Sequence, residues 1–277
     1  MATSAINPLF KHFRQPSVYI KLPSRGKFWP ADSLDMPPTE EIAIYPMTVK
    51  DEVLIKTPDA LMNGSGITDV IQSCCPHIKN AWEMPAIDLD IILIAIRIAS
   101  YGPLMDIDTK CPHCGVENTH SVDLRVVLDE IKPPTYDPVT INDLTFYLKP
   151  QTFRNLNANN IISYEQQKLI AALADSNLSE EEKLAQFHQM FPKLTDLNIM
   201  ALVNCIDAIQ VDNELVREVN YIKEFVSNTD RMTYQAIKDK IDQYIEEIKI
   251  KPVQAQCVEC SEQYTTELLF EQSNFFG

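Results

Sequence analysis

Cys111-Pro-His-Cys114-Gly-Val-Glu-Asn-Thr119 and Cys257-Val-Glu-Cys260-Ser-Glu-Gln-Tyr-Thr265 are two versions of one pattern. Each is preceded by alternating residues and followed by a strand-like run, His120 to Val127 in one case and Thr265 to Phe270 in the other. Each half therefore reads as strand, knuckle, strand. Two such knuckles meeting face to face supply four thiolates in a tetrahedron, the closed shell of a structural zinc site. Such a shell leaves no position for a water, so the expected role of Cys111, Cys114, Cys257 and Cys260 is stability rather than catalysis. The expected fold is α+β and mostly helical. A split zinc ribbon (106–150 plus 251–272) carries an inserted helical bundle (151–250), and an extended N-terminal arm precedes both.

Other fates of the four cysteines stay open on sequence alone: two disulfides, a metal-free thiol cluster, or a rubredoxin-like iron. Against iron, the second knuckle has Ser261 where a glycine usually relieves crowding. Cys111-Pro-His-Cys114 also matches the active-site tetrapeptide of thiol oxidants, in which the first cysteine opens a helix that lowers its pKa. Gly115 and the β-prone residues after it oppose that helix. His113 and His120 stand close enough to replace a cysteine ligand. Cys74, Cys75 and Cys205 read as buried thiols.

Seven cysteines in a chain with no secretory signal point to metal or buried thiols rather than disulfides. No apolar run approaches the roughly 20 residues of a membrane span, which places the protein in a cytoplasm. The chain has 277 residues and a net charge of −15, unevenly spread. Residues 1–31 hold five Lys or Arg and no acid, which leaves 19 basic against 39 acidic side chains for the rest. That body repels phosphate backbones, so direct nucleic-acid binding is not expected, and neither is a membrane. A zinc-ribbon nucleic-acid protein, the rival reading, needs basic knuckles, and Lys110 and Arg125 face Asp106, Asp108, Glu117 and Asp123. Six scattered glycines form no phosphate-cradling loop, and no His-Glu-x-x-His or nucleophile elbow occurs, so an enzyme is not expected.

Pro8, Pro16, Pro23 and Pro30 make residues 1–34 an extended basic arm. Its apolar residues need a cover, either the chain's own body or a neighbouring subunit. Residues 35–105 read as an α-rich unit: a strand at Glu41 to Tyr45, a helix after Thr48, a turn at 63–66, and helices near Ile67 to Cys75 and Leu89 to Ser100. Asp88 is the expected cap of the last of these. From Asn157 to Ile250 the pattern is helical, four or five helices, with Ser179 and Glu182 as a capping box. One apolar face comprises Leu197, Met200, Ala201, Cys205 and Ile209, and another Ile237, Ile241, Tyr244, Ile245 and Ile248. The tail 273–277 carries Phe275 and Phe276, which are either tucked in or docked on a partner. The expected partner-binding residues are Phe10, Phe13, Arg25, Phe28, Trp29, Phe275 and Phe276.

Five segments together resemble the baseplate hub or hub-assembly proteins of T-even-like contractile-tailed bacteriophages. They are Ile20-Lys-Leu-Pro-Ser-Arg-Gly-Lys-Phe28-Trp-Pro30, Tyr45-Pro-Met-Thr-Val-Lys-Asp-Glu52, Arg97-Ile-Ala-Ser-Tyr-Gly102, Cys111-Pro-His-Cys114 and Ser273-Asn-Phe-Phe276. The resemblance is weakest across 150–230. It implies a non-enzymatic virion or assembly protein, made in the host bacterial cytoplasm and acting at the tail baseplate with other baseplate or tail proteins, self-association included.

Overall fold

The computed structural model describes residues 7–57, 64–132, 134–174, 180–268 and 275–276, without the side chains of 10, 169, 172–174 and 180–191. The expected capping box at Ser179, the residue Asn63 of the 63–66 turn, and Ser273 and Asn274 of the tail lie outside the described residues.

The first lobe begins with β1 (Val18–Ile20) antiparallel to β2 (Ile42–Ile44). Alternation sends Ile20, Ile42 and Ile44 inward. Helix α1 (Val49–Ile55) opens with a capping box in which Thr48 and Asp51 satisfy each other's backbone amides. Helices α2 (Ser65–Cys74) and α3 (Leu89–Tyr101) follow. Ile91 to Ile96 are all buried, so α3 runs through the centre of the lobe. Its isoleucines favour strand by propensity, but burial on every side overrides that preference.

The arm packs on its own lobe. Ile20 and Leu22 join the core. Arg14 donates to Pro46 O at 2.6 Å and Ser73 O at 2.7 Å, and pairs with Asp51 at 3.3 Å. Asp88, expected as a cap, makes no capping bond. Its buried carboxylate instead accepts from Ser24 N at 2.8 Å, Ser24 Oγ at 2.5 Å and Trp29 Nε1 at 2.9 Å. The loop between these two anchors is left-handed at Arg25 (φ 52°), Gly26 (φ 74°) and Phe28 (φ 67°).

Strands β3 (Leu104–Lys110) and β4 (Glu117–Asp123) form an antiparallel hairpin. The strand expected to run to Val127 stops at Asp123, whose carboxylate accepts from Arg125 N and starts α4 (Leu124–Glu130). Leu124 and Val127 then face the first lobe.

The insert differs most from expectation. Strands β5 (Val139–Ile141) and β6 (Leu144–Leu148) lie in the segment 106–150 expected for the ribbon, yet they share a sheet with the strands of the insert, and they precede the long helices α5 (Phe153–Ala174) and α6 (Glu180–Val203). After them come β7 (Ile206–Val211), β8 (Glu214–Val216), α7 (Val219–Asn228) and α8 (Arg231–Ile248). The strands make one antiparallel sheet, β5-β6-β7-β8. The expected helical bundle is thus corrected to a mixed α/β unit, and "mostly helical" to a mixture. Helix α6 ends at Val203, so Cys205 and Ile209 do not continue its face. Phe146, Leu148, Ile206 and Ile209 pack instead with Ile222, Val226, Ile237 and Ile241 of α7 and α8. Strands β9 (Val253–Gln256) and β10 (Gln263–Thr266) close the ribbon.

Phe275 and Phe276 return to the first lobe. Each is 1% exposed, and the rings meet edge to face at 4.9 Å. Their expected docking on a partner is corrected to core packing, because both rings are already covered by the chain itself.

Candidate metal centre

The two hairpins bring the two knuckles together. In the first, Cys111 N donates to Val116 O and Gly115 N to Cys111 O, both at 2.9 Å. In the second, Cys257 N donates to Glu262 O at 3.0 Å and Ser261 N to Cys257 O at 3.1 Å. Gly115 (φ 76°) and Ser261 (φ 58°) hold the same left-handed position. Ser261 therefore accepts the conformation that glycine usually supplies, at the steric cost a Cβ brings there.

Cys111 Sγ lies 3.8 Å from Cys260 Sγ, and Cys114 Sγ 3.5 Å from Cys257 Sγ. All four sulfurs fall within 4.8 Å of one another, and all seven cysteines are free thiols. A tetrahedron with Zn–S bonds of about 2.3 Å has edges of about 3.8 Å, so the sulfurs are spaced for a metal ion. The backbone amides of Cys260 and Glu259 favour the Cys257 thiolate and bring its pKa down to about 6. Cys260 receives a similar pull from the Glu262 amide, but desolvation and the neighbouring sulfurs push it up to about 12. Four sulfurs this close could hold a metal ion, and the donor set fits a thiophilic one.

Three residues beyond the cysteines tie the halves together. Tyr264 OH bonds Thr109 Oγ1 at 2.7 Å and His120 Nε2 at 3.0 Å. Buried Asn118 accepts from Val258 N at 2.8 Å and donates to Val116 O at 2.9 Å, so one side chain spans both knuckles. Thr109, Asn118 and Tyr264 were not singled out by sequence reasoning. The repeated position of Asn118 and Tyr264, four residues after Cys114 and Cys260, is the signal that marks two of them. His120, considered as a spare ligand, is engaged by Tyr264 instead, and His113 is exposed.

The thiol-oxidant arrangement is absent. Cys111 is 1% exposed and enters a knuckle turn rather than a helix. Burial pushes Cys74 to about 12 and Cys205 to about 11, and it also raises Cys75, so these thiols stay protonated at neutral pH. The ribbon surface is acidic, with Asp106, Asp108, Glu117, Glu259 and Glu262 all exposed.

Of the expected partner residues, Phe13 is half exposed, Arg25 is exposed, and Phe28 lies edge-on to Tyr136 at 5.2 Å while keeping 37% exposure. Trp29 is half-buried on Asp88. Phe10 opens a 3₁₀ turn, and its side chain lies outside the described residues.

The family model described as T4 bacteriophage base plate protein matches residues 16–277, and the chain belongs to that family. No curated protein and no solved structure matches it. The molecule is thus a structural protein of the phage tail baseplate, located in the virion tail and working through contacts with other tail proteins. Among the described residues, no helix is long and apolar enough to cross a membrane.

Proposed function

We propose that this baseplate protein serves in the hub region, as a retained non-enzymatic subunit whose split ribbon is closed by one structural zinc ion. The observation that carries the zinc reading is the four-sulfur cluster, because its spacing matches a tetrahedral thiolate shell. Bound there, zinc supplies cross-linking alone, since Cys111, Cys114, Cys257 and Cys260 fill its coordination. The hub reading rests on the resemblance of five segments to hub proteins, within a family match that spans nearly the whole chain.

The protein's residues then divide the work. The cysteines join two hairpins on either side of the mixed α/β insert and fix how that insert departs from the first lobe. Asn118 and Tyr264 hold the hairpins in register. Phe13, Arg25 and Phe28 remain on the surface for neighbouring baseplate or tail proteins. The chain is made in the host bacterial cytoplasm and carried into the tail.

Elemental mass spectrometry of the purified chain, with size-exclusion chromatography before and after chelation, tests the metal. About one zinc per chain and loss of compactness on its removal support the reading. No metal, with the cysteines titrating as two reactive pairs, overturns it. Mass spectrometry of gradient-purified virions tests retention, and absence of the chain from finished particles would make it an assembly factor.

A further inference from the structure

The loop that Asp88 clamps and the segment leading into it present three basic side chains. Lys21, Arg25 and Lys27 are exposed, and among the described residues none of them enters an ion pair. Exposed Tyr19 and Phe28 flank them. Beside the loop is an open cavity of about 340 Å³, lined by Arg25, Lys27, Phe28 and Tyr136, with Asp137 as its one carboxylate. Ser24 and Trp29 fasten both ends of the loop to Asp88, and the backbone between them holds two non-glycine residues at positive φ. A strained conformation fastened at both ends keeps the Arg25 and Lys27 charges in fixed places.

The opposite charge stands on the ribbon of the same chain. Asp106, Asp108 and Glu117 line the outward face of the β3–β4 hairpin, and Glu259 and Glu262 continue it on the second knuckle. Lys110 is the only lysine or arginine on either knuckle or in the strands beside them. None of these five acids forms an ion pair among the described residues either. One chain therefore carries an unpaired basic surface and an unpaired acidic one.

We propose that the clamped loop of one copy docks on the acidic ribbon face of a second copy, head to tail. The proposal rests on the reading of the arm as a partner surface and names that partner. The contact joins two different patches, so repetition builds rings or open rows rather than a closed two-fold dimer.

Sedimentation velocity of the full-length protein tests it. The wild type is expected to associate at low salt and to weaken by at least about tenfold as salt is raised to several times the physiological level. Arg25→Glu/Lys27→Glu and Asp106→Lys/Asp108→Lys are each expected to be monomeric alone, because loop and ribbon then repel. Mixed together they are expected to associate again, since each supplies the surface its counterpart needs. A monomeric wild type, variants that associate like the wild type, or a mixture that stays monomeric overturns the proposal. So does a fluorescent single-stranded oligonucleotide that binds the wild type and not Arg25→Glu/Lys27→Glu, which would assign the loop to nucleic acid. Metal content measured on every sample separates this failure from the earlier one: monomers that keep one zinc per chain refute only the docking, whereas a metal-free wild type refutes the zinc scaffold.

Discussion

Replacing Asp88 with asparagine should change how stability depends on pH, and the structure sets both sign and size. Burial raises this carboxyl from an ordinary 3.8 to about 6, despite the three hydrogen bonds from Ser24 and Trp29. A group whose folded pKa lies above its unfolded one favours the native state when protonated. Its contribution is complete below about pH 4 and is lost as pH rises through about 6. A shift of about two units corresponds to ~3 kcal/mol in total, of which ~1.4 kcal/mol falls between about pH 5 and 8. The substituted amide cannot ionise, so the Asp88→Asn variant should gain about that much on the wild type across this window. Urea unfolding followed by tryptophan fluorescence, with Trp29 reporting from the clamp itself, measures both proteins at each pH. Taking the difference between them cancels the other carboxylates. A difference that stays flat, or that moves against the variant as pH rises, would refute the placement of Asp88 as a buried, desolvated anchor.

Cys260→Ser should reduce bound metal from about one ion per chain to near zero and cost several kcal/mol, among the larger effects of single substitutions, as seen by elemental analysis and thermal melting. Tyr264→Phe leaves the sulfurs untouched but removes the hydroxyl shared by Thr109 and His120; a loss of about 1–3 kcal/mol with metal retained is expected in chemical denaturation. Phe276→Ala empties a fully covered site in the first lobe and should cost about 3–5 kcal/mol in the isolated protein. Near-neutral stability there would return Phe276 to the partner surface.

The four-cysteine cluster was legible because its information is local and duplicated: each knuckle repeats the same turn, and the residues that shape it sit within a few positions of the cysteines. The sheet of the insert was not, because Leu197, Met200, Ala201, Cys205 and Ile209 satisfy helical spacing whether or not the helix continues. The stop lay in the turn chemistry. Asp212-Asn213 joins β7 to β8 just as Asn142-Asp143 joins β5 to β6, each a two-residue connection whose first member is left-handed. Asp88 shows the other limit. Beside a helix start, capping is the local solution for an aspartate, but Ser24 and Trp29, 64 and 59 positions away, bind it instead. Spacing along the chain carries no trace of such distant partners, and the same holds for Phe275 and Phe276 in the first lobe.

The ribbon's two halves are separated by the whole insert, with 149 positions between Cys111 and Cys260. On a ribosome adding about 5–20 residues per second, the first cysteine pair waits roughly 7–30 s for the second. During that interval the nascent chain can form its hairpin, long helices and sheet, but the thiolate cage stays half built. Assembly of the four sulfurs thus becomes a late event in synthesis, and a polypeptide released early keeps only the first cysteine pair. Closure of the four-cysteine cluster therefore requires that the whole insert has been translated.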